Sequence, residues 1–203
     1  LGKMAWQRGD ALRTAQSLNN MDTQYSGDLK KEAQYLSASA ALALGDAESA
    51  EEQLNDLPEH SRWRPYLGYK LGATHAAQGD WFAATPYFNN IAAQKPESLE
   101  AHALHDKSLT AAGYAYLSGG EFEQSGSAFR QVRLDGPYST RALLGYGWSA
   151  AERGDYLEAL SPWQQLAEHS MLDESARESL LAVPYAYDQL GRPGLALQSY
   201  RLA

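Results

Sequence analysis

Small and apolar residues recur along this chain at spacings of three and four, which is the pattern of one face of an α-helix. One such stretch precedes a glycine and a second stretch follows it. In one copy, Leu109, Ala112 and Gly113 stand before Gly120, and Phe129 stands after it. The pattern predicts a unit made of a helix, a glycine turn and a second helix.

The unit occurs six times in 203 residues. Successive turn glycines are 36, 34, 41, 34 and 37 residues apart, and they are Gly9, Gly45, Gly79, Gly120, Gly154 and Gly191. A fixed period of this length indicates a repeat architecture in which each unit packs against its neighbours. Gly72, Gly113 and Gly147 lie in the middle of first helices, where we expect them to let the second helix approach closely.

These residues resemble the tetratricopeptide repeat, whose pattern is W-x2-L-G-x2-Y, then A-x3-F, then P. The best matches are LTAAGYAY with Ser125, Phe129 and Pro137, and GYKLGATH with Ala84, Phe88 and Pro96. The resemblance covers the whole chain and is weakest in the first and last copies. It implies an all-α fold, a right-handed superhelical solenoid of antiparallel helix-turn-helix repeats, which is a scaffold used for many tasks.

We interpret residues 1–203 as a single array. The expected units are repeats 31–64, 65–98, 106–139 and 140–173, partial repeats 1–28 and 177–203, and an insert at 99–105. The seven inserted residues make two helical turns, so we expect them to lengthen the next helix at its start. The apolar end of the chain favours a fragment of a longer array, or an array whose ends a partner covers.

Three prolines fall inside predicted helices, at Pro86, Pro162 and Pro184. Each removes a backbone hydrogen bond, so the favoured interpretation is a kinked helix. The alternative is that Thr85-Pro86 and Ser161-Pro162 begin a helix late, as cap and first residue.

Charge and composition exclude several classes of function. A net charge of −8 and a pI near 5.1 argue against nucleic acid, which calls for clustered Lys and Arg, and against anionic membrane surfaces. The absence of cysteine removes disulfides, zinc-thiolate sites and thiol catalysis. No apolar run approaches the roughly 20 residues that span a bilayer, so no direct membrane insertion is expected.

Candidate chemistry is sparse, and we expect no enzyme activity, catalytic residue, cofactor or metal. His102 and His105 lie three apart beside Asp106, but two histidines without a further ligand make a weak metal site. Two Arg-Gly-Asp tripeptides invite an adhesion interpretation. The favoured one is that each Gly-Asp closes one helix and starts the next.

Residues 13, 10, 6 and 3 before each turn glycine form one stripe of the first helix, and the family resemblance implies that this stripe lines the concave surface. From it we select the expected partner-binding residues, Tyr35, Tyr66, Tyr69, Lys107, Tyr114, Arg141, Trp148 and Tyr185. No first helix contains Asn, unlike the family members that hold a C-terminal carboxylate or carry an asparagine ladder. The rings either anchor a peptide or pack against one another to set curvature.

The expected function is a non-catalytic protein–protein interaction scaffold that binds a peptide or protein segment in an aromatic-lined concave groove. The alternative is a structural module that self-assembles into a homo-oligomer, or joins a larger bacterial envelope or secretion complex, through its apolar ends. Low Lys beside abundant Gln and Ala favours the bacterial envelope.

Overall fold

The computed structural model describes residues 1–18, 26–168 and 172–203. These described residues contain only α-helices as regular structure, which are α1 (Gly2–Gln7), α2 (Ala11–Leu18), α3 (Gly27–Ala43), α4 (Ala47–Asp56), α5 (Arg64–Ala77), α6 (Trp81–Ala92), α7 (Leu99–Ser118), α8 (Phe122–Arg130), α9 (Ser139–Glu152), α10 (Tyr156–Ala167), α11 (Glu174–Gln189) and α12 (Pro193–Tyr200). The helices occur in pairs joined by the turn glycines, so the predicted all-α architecture is confirmed.

The chain divides into two compact units, residues 1–91 and 92–203. In the second unit each helix packs against the next, and α9 also contacts the two neighbouring first helices, α7 and α11. The largest core cluster of this unit is centred on Trp163 and Leu166, which are fully buried. In the first unit, a cluster around Leu67 and Leu71 joins α3, α4 and α5.

Every repeat turn is closed by the same backbone hydrogen bond. The turn glycines have φ between 67° and 87°, a region that disfavours other residues. The N–H after Gly79 reaches back to the His75 carbonyl at 3.0 Å, which closes the helix as a Schellman motif. The next helix is then capped, because the Asp80 side chain accepts from the Ala83 N–H at 2.9 Å.

The same arrangement occurs at both Arg-Gly-Asp sequences. Asp10 accepts from the Arg13 N–H at 2.9 Å and Asp155 accepts from the Glu158 N–H at 3.0 Å. The glycines between have positive φ. The interpretation that Gly-Asp ends one helix and begins the next is therefore confirmed.

Aromatic side chains of second helices lie directly on the glycines of first helices. A Cβ atom added to Gly72 would stand 2.8 Å from the Phe88 ring, and one added to Gly147 would stand 2.2 Å from Nε1 of Trp163. Gly113 faces Phe129 in the same way, at 2.7 Å. These glycines permit the close helix approach that the sequence predicts.

Helix α7 has 20 residues, whereas α5 and α9 have 14. The additional residues lie at its start, and Asp106, which follows them, is fully buried. The Asp106 carboxylate accepts from Nε of Arg133 at 2.9 Å and pairs with Nη2 at 2.8 Å. This ion pair ties the segment after α8 to α7.

A chain of buried hydroxyl groups joins α7, α8 and α9. Oγ of Ser125 lies 2.8 Å from the Gly113 carbonyl oxygen and 2.6 Å from Oγ of Ser149, which lies 2.8 Å from the Gly145 carbonyl oxygen. Because each hydroxyl has a single proton, one serine donates to the other, and the serine that accepts donates to its own carbonyl. Both serines are fully buried, so each hydroxyl depends on the other for its second partner.

The prolines lie inside continuous helices. Pro86, Pro162 and Pro184 are interior to α6, α10 and α11. Because α6 begins at Trp81 and α10 begins at Tyr156, the alternative of a late helix start is wrong.

Candidate protein-binding surface

The predicted residues Lys107, Tyr114, Arg141, Trp148 and Tyr185 all belong to the second unit. They lie on its three first helices, α7, α9 and α11. Because α9 contacts both α7 and α11, the three helices form one surface with α9 in the middle. We call this surface the α7–α9–α11 face.

Tyr114 is held within this face by its neighbours. Its ring packs edge-on against Phe129 with centroids 5.0 Å apart, and its hydroxyl donates to the Arg141 carbonyl at 2.9 Å. The Arg141 guanidinium stands 5.8 Å from the Tyr114 ring. Burial, the largest cause, raises the pKa of Tyr114 to about 12, since it disfavours the charged phenolate.

Two tyrosines should therefore ionise late in an alkaline titration. Burial, followed by the hydrogen bond to Glu51, also raises the pKa of Tyr87 to about 12. Because the neutral form is favoured in the folded protein, the stability that these hydroxyls contribute is complete below about pH 10 and is lost as pH rises through about 12. In an absorbance titration of tyrosinate, Tyr114→Phe and Tyr87→Phe should each remove one high-pH step. Loss of a step near pH 10 instead would contradict this.

Trp148 is the centre of the face. Its ring packs edge-on against Trp163 with centroids 4.9 Å apart, and its indole N–H donates to Oε1 of Glu178 at 2.8 Å. Tyr185 lies 6.1 Å from the same ring and is 36% exposed, while Leu181, one turn earlier on α11, is 60% exposed. An orientated indole therefore lies beside Tyr185, and Leu181 adds accessible apolar surface on the same helix as Tyr185.

Two cavities lie along α9, one lined by residues from its first half and the other by residues from its second half. The first, of about 500 Å³, is lined by Tyr114, Pro137, Thr140, Arg141, Leu144, Asp173, Glu174, Ser175 and Glu178. The second, of about 370 Å³, is lined by Leu117, Ser118, Gly120, Phe122, Trp148 and Glu152. We call them the charged cavity and the apolar cavity.

The predicted residues of the first unit are held by other aromatic rings. Tyr35 stacks on Trp63 with centroids 4.9 Å apart, and Tyr66 lies 6.5 Å from Trp63. Tyr69 packs on Phe88 at 5.5 Å. Trp63 precedes the first helical residue of α5 and is not on the predicted stripe, so sequence reasoning missed it.

A lysine is enclosed by rings in the same unit. The Lys70 ammonium lies 4.7 Å from the Trp6 ring centroid and 5.0 Å from that of Tyr35, and it donates to Oγ of Ser39 at 2.9 Å. Such cation–π contacts stabilise the arrangement. Burial, the largest cause, raises the pKa of Tyr35.

One of the two histidines considered for a metal site, His105, makes a contact within the fold. His105 Nε2 lies 3.0 Å from the Ala92 carbonyl oxygen. Across 1–18, 26–168 and 172–203, no group of three or more His, Cys, Asp or Glu is arranged to hold a metal ion. None of the described helices combines the length and apolar character needed to cross a membrane.

Comparison with known proteins gives structural matches alone. No protein-family model and no curated protein sequence matches the chain. TPR-like repeats of a Podosopora anserina protein of the kinesin light chain type match it with a TM-score of 0.65 and 16% identity, covering 87% of this chain and 94% of that one. A tetratricopeptide repeat protein from Parabacteroides merdae matches with a TM-score of 0.67 and 17% identity, covering 98% and 74%.

The chain has the tetratricopeptide-repeat fold. The TPR domain of P58(IPK) is a further match, with a TM-score of 0.51 and 17% identity over 94% of this chain and 54% of that one. The family resemblance found in the sequence and the all-α repeat solenoid are both confirmed.

Proposed function

We propose that this tetratricopeptide-repeat array is a non-catalytic scaffold that binds a peptide or protein segment on the α7–α9–α11 face. Trp148 is the main anchor and is orientated by Glu178, while Leu181 and Tyr185 extend the apolar contact. Buried tryptophan and tyrosine dominate binding energies at interfaces.

One observation carries the proposal. An indole fixed by Trp163 and Glu178 lines the apolar cavity, its acceptor Glu178 lines the charged cavity, and Leu181, which follows Glu178 on α11, is exposed. A partner side chain entering either cavity would contact a ring or a carboxylate already in position, so little conformational entropy is lost on binding. By contrast, Tyr114 is already covered by Arg141, and we assign it a supporting role.

Leu181→Asp tests the face without disturbing the core, because Leu181 is 60% exposed. Peptides selected from a random phage-displayed library on the wild-type protein should lose about 2 kcal/mol of binding free energy with this variant. Trp148→Ala should cost at least as much, provided that circular dichroism shows equal helicity. Fluorescence anisotropy of a labelled peptide measures both.

The matched control is Leu157→Asp. Leu157 is 70% exposed on α10, outside the face, and its replacement should leave affinity unchanged. Equal losses for the two leucine variants, or none for either, would contradict binding at this face.

A second candidate is self-association through the end helices, and a specific observation favours it. On and beside α12, Leu197 is 55% exposed, Tyr200 is 51% exposed and Leu202 is 78% exposed. Contiguous exposed apolar surface favours protein contact. Sedimentation equilibrium should then show mass rising with concentration, and Leu197→Asp should abolish the rise; a constant monomer mass would contradict it.

A further inference from the structure

The two cavities beside Trp148 have different chemistry, and their separation defines a ligand. Arg141 and Leu144 line the charged cavity, while Trp148 and Glu152 line the apolar one. These four residues share one stripe of α9. Arg141 and Trp148 are seven residues apart, and Leu144 and Glu152 are eight residues apart, which is about 11 Å along the axis of a helix.

The charged cavity is lined by two glutamates that form no ion pair within the described residues. Glu174 and Glu178 are one turn apart on α11 and both line it; like charges at this spacing destabilise a helix. In the part of the chain that the structure describes, neither carboxylate forms an ion pair. Glu178 is held by the neutral Trp148 indole, and the cavity's basic residue, Arg141, lies over the Tyr114 ring.

The other walls of this cavity suit the stem of a long basic side chain. Leu144 and Pro137 give it apolar lining in addition to the carboxylates. Lysine and arginine bury their methylene stems on such surfaces while the charged head reaches an acidic group. The protein's net charge of −8 also attracts a basic partner.

The apolar cavity suits a different side chain. Leu117, Phe122 and Trp148 supply its walls, and Glu152 is its only ionisable lining residue. An aromatic or large aliphatic side chain would fill it and contact the Trp148 ring. Its volume of about 370 Å³ accommodates one such group.

We infer that the bound segment is an extended peptide with one Lys or Arg and one large apolar side chain three residues apart. An extended chain advances about 3.3 Å per residue, so three residues cover about 10 Å, close to the rise along α9 between the residues that line the two cavities. The basic group lies between Glu174 and Glu178, and the apolar group lies against Trp148. This inference rests on the proposed function and adds the chemistry and spacing of the partner.

Selection from the random phage-displayed library gives the first test. The expected result is enrichment of sequences with a basic residue three positions from an aromatic or large aliphatic one. Binders that carry apolar residues without that basic partner would overturn this inference and leave the proposed function standing. Failure to select any peptide that depends on Leu181 would overturn the proposed function and this inference with it.

Charge-removing variants give the second test. Glu174→Gln/Glu178→Gln keeps side-chain shape and a carbonyl acceptor for the Trp148 indole, while removing both charges. Its affinity for a selected lysine peptide should fall about tenfold or more at low salt, whereas its affinity for the same peptide with norleucine in place of lysine should not change. Equal effects on both peptides would overturn the charge pairing.

The matched control is Glu97→Gln/Glu100→Gln. It makes the same change in net charge within the second unit, at exposed residues outside both cavities. It should leave the lysine peptide's affinity within about twofold of wild type. A tenfold loss in this control would show that net charge alone attracts the peptide, and would overturn the assigned cavity.

Discussion

Gly147→Ala should lower the free energy of unfolding by about 3 kcal/mol. The new Cβ would stand 2.2 Å from Nε1 of Trp163, and Trp163 is fully buried, so the ring must move. Overpacking costs about 1–3 kcal/mol. The displaced indole also loses its hydrogen bond to the Leu144 carbonyl, at 3.2 Å. Alanine is favoured over glycine in a helix by about 1 kcal/mol, which offsets only part of the loss.

Gly126→Ala is the control, for which we expect the free energy of unfolding to rise instead of fall. Gly126 is also buried within a helix, α8, but an added Cβ would find its nearest atom at 3.5 Å, an ordinary contact. It should therefore stabilise the protein by about 0.5–1 kcal/mol. Chemical denaturation followed by circular dichroism measures both variants, and a stabilised or neutral Gly147→Ala would refute the close-packing argument.

Arg133→Met should cost about 3 kcal/mol. Asp106 is fully buried, and Arg133 supplies its two close charged contacts, at 2.9 and 2.8 Å. Removal of one member of such a pair leaves an uncompensated buried charge, which is strongly destabilising. The effect should appear in the same denaturation experiment.

A double variant separates the charge effect from general packing. Asp106→Leu/Arg133→Met removes both charges, so we expect it to be more stable than Arg133→Met alone. Arg130→Met is a nearby control. The Arg130 guanidinium lies 5.7 Å from the centroid of the Tyr146 ring, and loss of this contact should lower the free energy of unfolding by less than about 1 kcal/mol. A double variant no better than the single one would refute a buried charge at Asp106.

Much of the fold follows from sequence because its determinants are local. Gly79 marks a helix end that needs positive φ, and Asp80 caps the next helix through an N–H only three residues away. Gly147 likewise indicates a close contact with Trp163, the aromatic residue of the next helix. The Asp106–Arg133 pair was not predicted, because it joins residues 27 positions apart with no repeat at other turns to reveal it.

The candidate site is less predictable. Spacing placed Trp148 and Tyr185 on first helices, where the structure also has them. It could not show that Arg141 covers Tyr114, since that contact depends on side-chain rotamers. Phe122 belongs to a second helix and Glu174 to the first turn of α11, so a stripe defined on first helices omits both. A search for apolar residues directly after each turn would have found Phe122.

The hydroxyl chain through Ser125 and Ser149 makes one junction of the array unlike the others. Where α8 has Ser125, the corresponding residues of other second helices include Ala84 and Ala159, and where α9 has Ser149 the corresponding residue of α11 is Ala186. A transplanted copy of α7–α8 placed before α11, which has Ala186 at this position, would leave the Ser125 hydroxyl without its second partner. The Ser125–Ser149 pair therefore favours α9 as the neighbour of α7–α8, and modules that share one backbone are not freely interchangeable at this junction.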